Sequence, residues 1–279
     1  MPLTSPRLWV VATPLGNPGD FSPRARNTLE TADAVLAEDT RRASRLFAGI
    51  DIRVKRLLSF YEHNENERQE NALQMLRDGQ TLALISDAGT PLLADPGYRL
   101  VRACRKEGIQ VSPVPGPSAP ATALCAAGIP PIPHTFLGFL PRDVAGRKAL
   151  FAAFAHTPGS IVFFERKNRL KESLALAHRV LNARDLAICR ELTKINEEFI
   201  LTRLEKYETL PDNFLGEITV IIGPSESTER AQREQVLRLL EAQAFPDEKP
   251  RDTARRIQYA AQGWSTKEIY ALITANRRP

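Results

Sequence analysis

The sequence predicts an α/β protein of two α/β domains followed by a small helical C-terminal region. Short apolar runs alternate with amphipathic stretches from Leu8 to Val114. A proline-crowded passage over 113–133, "PVPGPSAPATALCAAGIPPIP", then breaks the pattern, and a second series of strands runs to Ile222. A chain of 279 residues with 43% hydrophobic and 25% charged residues has ample material for two cores and no case for wholesale disorder. The expected division is 1–117, 118–225 and 226–279.

In order, Leu8–Ala12 is an apolar strand, and Ser22-Pro23 opens a helix to Ala32. Ala34–Ala37 is a short strand, Thr40–Phe47 a helix that Asp39 can cap, and Arg56–Ser59 extended chain. Glu65–Asp78 turns Ala72, Leu73, Met75 and Leu76 inward as a helix, and Thr81–Ser86 is the clearest strand. Helix Pro96–Glu107 and strand Ile109–Val114 complete an alternation that argues for a mainly parallel sheet covered on both faces. After a small-residue helix at Ser118–Ala127, strands are expected at Thr135–Phe139, Ser160–Phe164, Asp185–Arg190, Glu198–Arg203 and Glu217–Ile222. Helices at Arg147–Ala155 and Arg169–Asn182 separate the first three, so this sheet is expected to be mixed with antiparallel edges. Ser225–Arg233 reads as a linker, and helices follow at Arg233–Ala244, Arg251–Gln262 and Ser265–Ala275. The last begins with a Ser-x-x-Glu capping box, Ser265 to Glu268, after a Gly263-Trp264 turn, which is helix-turn-helix-like.

Charge is unevenly spread. The net is +5, and from Arg230 onward ten basic residues oppose six acidic ones, a net of +4. An anionic partner for the tail and a merely solvated basic face explain this equally well. Cys104, Cys125 and Cys189 are dispersed, form no C-x-x-C and do not cluster with the four histidines, so neither a disulfide framework nor a metal site is expected. A reducing cytoplasm is the simplest setting, and neither a transmembrane span nor a signal-peptide core is legible.

Three Gly/Pro turns, Thr13–Asn17, Asp87–Pro91 and Pro115–Ala119, each follow an apolar strand. In an open α/β sheet such loops converge on one crevice, where glycine lets backbone approach a ligand. They match neither G-x-G-x-x-G nor a P-loop and hold no lysine, which favours a near-neutral or cationic ligand with a nucleoside part over a triphosphate. Asp87 is placed to bind such a ligand or to cap its turn. The run Glu38-Asp39-Thr40-Arg41-Arg42 either caps a helix or sets arginines beside a phosphate backbone, and His63 is either a general base or a solvated loop histidine.

Eight colinear motifs carry a resemblance: Thr13–Asn17, Ala37–Arg42, Glu62–Glu65, Ser86–Pro91, Asp95–Tyr98, Pro115–Ala119, Gly138–Pro141 and Arg190–Lys194. Together they resemble the ribosomal RNA small subunit methyltransferase I group, a branch of the tetrapyrrole-methylase-like enzymes, over nearly the whole chain. The resemblance implies the tetrapyrrole-methylase fold (a class III S-adenosylmethionine methyltransferase), with the donor folded in the cleft between the two α/β domains. It implies transfer to the 2′-hydroxyl of a cytidine in the decoding region of 16S ribosomal RNA in the small subunit, by a cytoplasmic homodimer. The implied donor contacts are Pro14, Leu15, Gly16, Asp87, Gly89, Thr90, Pro115, Ser118, Ala119 and Glu165. His63, Glu38 and Asp39 are the candidate bases. Arg41, Arg42, Lys194, Arg255 and Arg256 would meet phosphates, and Phe60 or Tyr61 would stack on the cytidine. One departure stands out. Where the group has aromatic-Glu-Ser-Pro-His-Arg, this chain has Phe164-Glu165-Arg166-Lys167-Asn168-Arg169, which removes a histidine and adds positive charge; Ala94 also stands where serine is commoner. Two alternatives share the same loops: a small-molecule tetrapyrrole methylase, for which the basic tail has no use, and a non-catalytic RNA-binding assembly factor.

Overall fold

The structure, a computed structural model, describes residues 8–61, 65–155, 157–226, 231–242, 248–258, 260–261 and 263–276. The first sheet contains β1 (Leu8–Val11), β2 (Ala34–Ala37), β3 (Leu57–Ser59), β4 (Leu82–Ile85) and β5 (Val111–Val114), ordered β3-β2-β4-β1-β5 and parallel throughout. Its strands alternate strictly and both faces are covered. Val11, Val35, Ala37, Ala83 and Ile85 pack beneath α1 (Pro23–Thr31) and α2 (Thr40–Gly49). Leu8, Ala34, Leu36, Leu82 and Leu84 pack beneath α3 (Glu65–Arg77) and α4 (Tyr98–Lys106). Local chemistry sets the helix starts: Ser22 caps α1 through Ala25 N–H, with Pro23 at its first position, and Asp39 caps α2 through Arg41 and Arg42 N–H.

The second sheet contains β6 (His134–Phe139), β7 (Ser160–Glu165), β8 (Asp185–Arg190), β9 (Glu198–Arg203) and β10 (Ile218–Ile222), in the order β6-β7-β10-β8-β9. It is mixed, as expected, but antiparallel pairing runs through its middle and the one parallel pair, β6 with β7, lies at an edge. The crossover through α7 (Leu170–Leu181) makes β7 and β8 point the same way, and β10 returns between them against both. On one face Phe163, Ile188 and Val220 pack against α7 and α6 (Val144–Phe154). On the other, Val162, Ala187 and Ile221 pack against α5 (Ala119–Ala126) and against Leu15 from the first sheet's β1 loop.

The tail folds as α8 (Arg233–Ala242), α9 (Pro250–Gln258) and α10 (Thr266–Asn276) around Val236, Ala254, Ile257 and Ile269. The capping box forms: Glu268 N–H donates to Ser265 Oγ at 3.3 Å and Ser265 N–H donates to Glu268 Oε2 at 2.8 Å. The Trp264 indole donates to Ala231 O at 2.7 Å and ties the turn back to the start of the tail. Among the described residues, no helix is long and apolar enough to cross a membrane.

Phe163 is wholly buried, edge-on to Phe151 with ring centroids 5.8 Å apart. Phe163→Ala is expected to cost about 3–5 kcal/mol, measured as a lowered denaturation midpoint in urea with an unchanged slope.

Candidate active site

β1, β4 and β5 end on the same edge of their sheet, and backbone hydrogen bonds stitch their loops together. Thr13 N–H donates to Gly89 O at 2.9 Å and Gly89 N–H returns to Thr13 O at 3.1 Å. Ala12 N–H donates to Val114 O at 3.1 Å, and the Thr90 hydroxyl donates to Pro117 O at 2.9 Å. Such proximity needs two glycines. Gly89 has φ +77°, and a Cβ there would stand 3.0 Å from Leu15 Cδ2. A Cβ on Gly116 would stand 2.9 Å from that of Ala12.

The second sheet's loops close the opposite side. Asn17 N–H donates to Thr193 Oγ1 at 3.2 Å, and the stem of Lys194 fills the space a side chain on Gly16 would need. Between the two sides lies a cleft of about 920 Å³, within the range of small-molecule sites. Leu15, Gly89, Thr90, Ser118 and Ala119 line it from the first side, and Phe139, Phe164 and the turn from Glu165 to Asn168 line it from the second.

Three carboxylates, Glu38, Asp87 and Asp95, meet in this cleft. Asp87 Oδ1 accepts Asp39 N–H at 3.1 Å, and its Oδ2 pairs with Arg42 Nη1 at 3.0 Å. Glu38 accepts the backbone N–H of Asp87, yet burial and then the Asp87 charge raise its pKa above the ordinary glutamate value. Asp95 is pushed up to about 7, first by burial and next by the Glu38 charge, with the Ser86 hydroxyl acting in the opposite sense. Its loop is strained: Leu92 and Ala94 hold φ of +72° and +75°, each costing roughly 1–3 kcal/mol.

Glu165 organises the far wall. Its side chain is fully buried, and Oε1 accepts from Arg166 N–H at 2.7 Å and from Arg169 Nη2 at 2.6 Å, while Oε2 accepts Ser173 Oγ at 2.6 Å. Arg169 also donates to Leu140 O and Pro141 O. One buried carboxylate therefore fixes the turn, the start of α7 and the end of β6.

Of the residues expected at the site, Leu15, Asp87, Gly89, Thr90, Ser118, Ala119 and Glu165 line the cleft, as do Glu38 and Arg42. Pro14, Gly16 and Pro115 belong to the same loops but are not among the residues that line the cleft. Several expectations need correction. Asp39 caps α2 and is held down to about 2, chiefly by the Arg41 guanidinium, too weak a base for neutral pH. Phe60 is wholly buried among Leu36, Leu73 and Leu84, so it cannot stack on a nucleobase, whereas Tyr61 is exposed. Arg41, Arg42, Lys194 and Arg256 are each paired already, with Asp39, Asp87, Glu191 and Glu248, while Arg255 lies exposed on α9. His63 lies outside the described residues. Sequence reasoning missed Asp95 and Phe139 as site residues; both stood inside quoted motifs, Asp95 ahead of a Pro-Gly and Phe139 after Gly138, without a role.

This architecture defines a class. Residues 7–208 match the family model of the Tetrapyrrole (Corrin/Porphyrin) Methylases. The crystal structure of the methyltransferase CobJ superposes with a TM-score of 0.61 at 18% identity, over 82% of this chain and 98% of that one. More specifically, the chain is 39% identical over 279 residues to the Ribosomal RNA small subunit methyltransferase I of Mycobacterium tuberculosis strain H37Rv, covering 99% of this chain and 97% of that one. It is 45% identical over 226 residues to the protein of the same name from Mesorhizobium japonicum, covering 80% and 76%. The chain belongs to the tetrapyrrole methylase family and, within it, to the ribosomal RNA small subunit methyltransferase I group; it is an S-adenosylmethionine-dependent methyltransferase.

The cleft suits that donor. Leu15, Ala119 and Leu192 offer apolar walls, the crossed loops present backbone and hydroxyl groups, and three carboxylates favour a ligand bearing sulfonium and ammonium charge. Gly89→Ala forces an L-residue into left-handed backbone at a cost of about 1–2 kcal/mol and presses a methyl onto Leu15. S-adenosylmethionine affinity, measured by titration calorimetry, is expected to fall about tenfold.

Proposed function

We propose that this chain methylates the 2′-hydroxyl of a cytidine in the decoding region of small-subunit ribosomal RNA. The match to relatives named for small-subunit ribosomal RNA methylation, at 39% identity over nearly the full length of both chains, supports the substrate class. The observation that carries the hydroxyl is Asp95. A ribose hydroxyl must lose its proton as it attacks, so a nearby base speeds the reaction by about 10²–10⁴-fold, whereas a ring nitrogen with a free lone pair has no such need. Asp95 lies in the cleft, half-buried, with a pKa of about 7, close to the value that balances base strength against the ionised fraction at neutral pH.

S-adenosylmethionine supplies a methyl group on a sulfonium centre that needs no further activation to leave. The residues of this chain align the partners, which is worth on the order of 7–11 kcal/mol when reacting atoms are held at near-attack geometry. Leu15, Gly89, Thr90, Ser118 and Ala119 hold the donor, Asp95 takes the hydroxyl proton, and Glu38 keeps Asp95 basic through its charge. Arg42 pairs with Asp87 and holds it in place. The helical tail, with Arg255 exposed on α9, adds RNA affinity through phosphates without reading sequence.

The direct test is methyl transfer from labelled donor to small subunits isolated from cells lacking this gene, with nuclease mapping. One 2′-O-methylcytidine is expected; methylation of a base nitrogen or carbon overturns the reading. The base is tested by pH. Ionised Asp95 is the active form, so kcat/KM for RNA is expected to rise with pH through about 7. Asp95→Asn is expected to lower turnover about 10²–10⁴-fold at saturating donor and to abolish that rising limb.

A further inference from the structure

Beside the donor cleft lies a second, smaller cavity of about 340 Å³, and the two share Phe139, Arg166 and Asn168 in their walls. Leu140, Arg142 and Arg169 complete the smaller one, and Lys167 stands beside it in the donor-cleft wall. Its position beside the donor cleft and its basic lining suit an anionic group that the donor does not supply.

Phe139 is half-exposed, 54%, although it is a large aromatic residue in a concave wall. A bulge puts it there. The register of β6 on β7 runs from Phe136 opposite Val162 to Phe139 opposite Phe164, so one extra residue is accommodated, with Gly138 at φ +67°. Phe139 lies 5.3 Å from Phe164, and Phe164 lies edge-on to Phe136 at 4.9 Å, which makes a rigid ladder of rings with one open face. Such a face suits stacking by an unpaired base.

The cations around it differ from those first expected to bind RNA. Arg41, Arg42, Lys194 and Arg256 are each already paired with a carboxylate, which offsets part of their charge toward a phosphate. Among the described residues, the exposed side chains of Arg142, Arg166 and Lys167 have no carboxylate partner. Their backbones are nevertheless held: Arg166 N–H donates to buried Glu165, and the buried Arg147 donates to Arg142 O at 3.2 Å. The charges are free to bind and the turns that carry them are already ordered, which lowers the entropic cost of binding.

We infer that this cavity is a nucleotide subsite. Phe139 stacks the base next to the methylated nucleotide, and Arg142, Arg166 and Lys167 hold the flanking phosphates. The inference rests on RNA being the substrate and goes beyond it by assigning where the strand runs. It also gives the Arg166-Lys167-Asn168 sequence a use.

The test measures binding of a short single-stranded RNA with a central cytidine to the full chain, in the presence of S-adenosylhomocysteine and across a salt series. The variant with Arg142, Arg166 and Lys167 all changed to Gln is expected to bind at least about tenfold more weakly. Its log–log salt slope should fall by about 2, at roughly 0.7 per lost phosphate contact. Phe139→Ala is expected to weaken binding about tenfold with an unchanged slope, because stacking releases no counterions. A control with the same charge change away from both cavities, Arg102, Lys106 and Arg179 to Gln, is expected to leave the slope intact. Because Phe139, Arg166 and Lys167 also line the donor cleft, S-adenosylhomocysteine affinity is measured for each variant and RNA binding is compared at a concentration that saturates all of them. Equal losses in the triple variant and the control, or no change of slope in either, overturn the subsite. The wild-type enzyme is assayed on small subunits in parallel. Normal methylation with no subsite effect sinks this inference alone. The expected binding losses without any subunit methylation leave the subsite standing and sink the proposed reaction.

Discussion

The cleft depends on the two hydrogen bonds exchanged by Thr13 and Gly89. A parallel sheet orders its strands but leaves the loops at their carboxyl ends free to splay. Here the β1 and β4 loops pair as a single antiparallel bridge, and the β5 loop is drawn in through Ala12 to Val114 and Thr90 to Pro117. Backbone atoms take up most of this stitching, so side chains such as Ser118, which heads α5 without capping it, stay available. Glycine at 89 and 116 is the condition for the arrangement, since a Cβ at either position meets a neighbour at 3.0 Å or less. Leu15 extends the same constraint to the second sheet, where it packs on the cluster containing Ala187 and Ile221. The loop that forms the cleft thus also joins its two walls.

The opposite wall has its own organising group. Burying a carboxylate costs several kcal/mol unless its lone pairs are used, and those of Glu165 are taken by Arg166, Arg169 and Ser173. Arg169 passes the constraint on to Leu140 and Pro141. The buried ion pair therefore ties the end of β6, the turn after β7 and the start of α7 together, and it lets the turn from Arg166 to Asn168 carry exposed charge without becoming loose.

Much of this was legible in the sequence, and the reasons separate cleanly. Strands such as Leu82–Ile85, buried on both faces, read as continuous apolar runs, and the texture of the three Gly/Pro loops announced their convergence. What could not be read was pairing. Nothing local says that Arg42 meets Asp87, 45 positions away, or that Lys194 meets Glu217, so charged residues that looked available turned out to be engaged. Phe60 next to Tyr61 looked like a stacking pair, yet the core of the first sheet takes one ring and leaves the other outside. Asp95 and Phe139 escaped for a related reason. Their importance comes from a strained loop and a bulge that re-aim side chains, and both are backbone events set by tertiary contacts.

The charges at the site are sorted in a way that serves the chemistry. Glu38, Asp87 and Asp95 line the donor cleft from the first sheet's loops and the exposed cations Arg166 and Lys167 from the turn after β7, so a cationic donor and an anionic strand are drawn to different places. Clustering the carboxylates has a cost in stability. Asp95 is protonated in the folded protein up to about pH 7, whereas in the unfolded chain it ionises near 3.8. The neutral form's contribution is therefore fully present below pH 3.8 and is lost as pH rises toward 7, because over that range the unfolded chain ionises freely while the folded state stays protonated. The strain at Leu92 and Ala94 adds to that cost. Strain and desolvation are both costs to stability, and the proposed transfer to a ribose hydroxyl gives them a use: a carboxylate with a pKa near 7 is a stronger base than an ordinary aspartate.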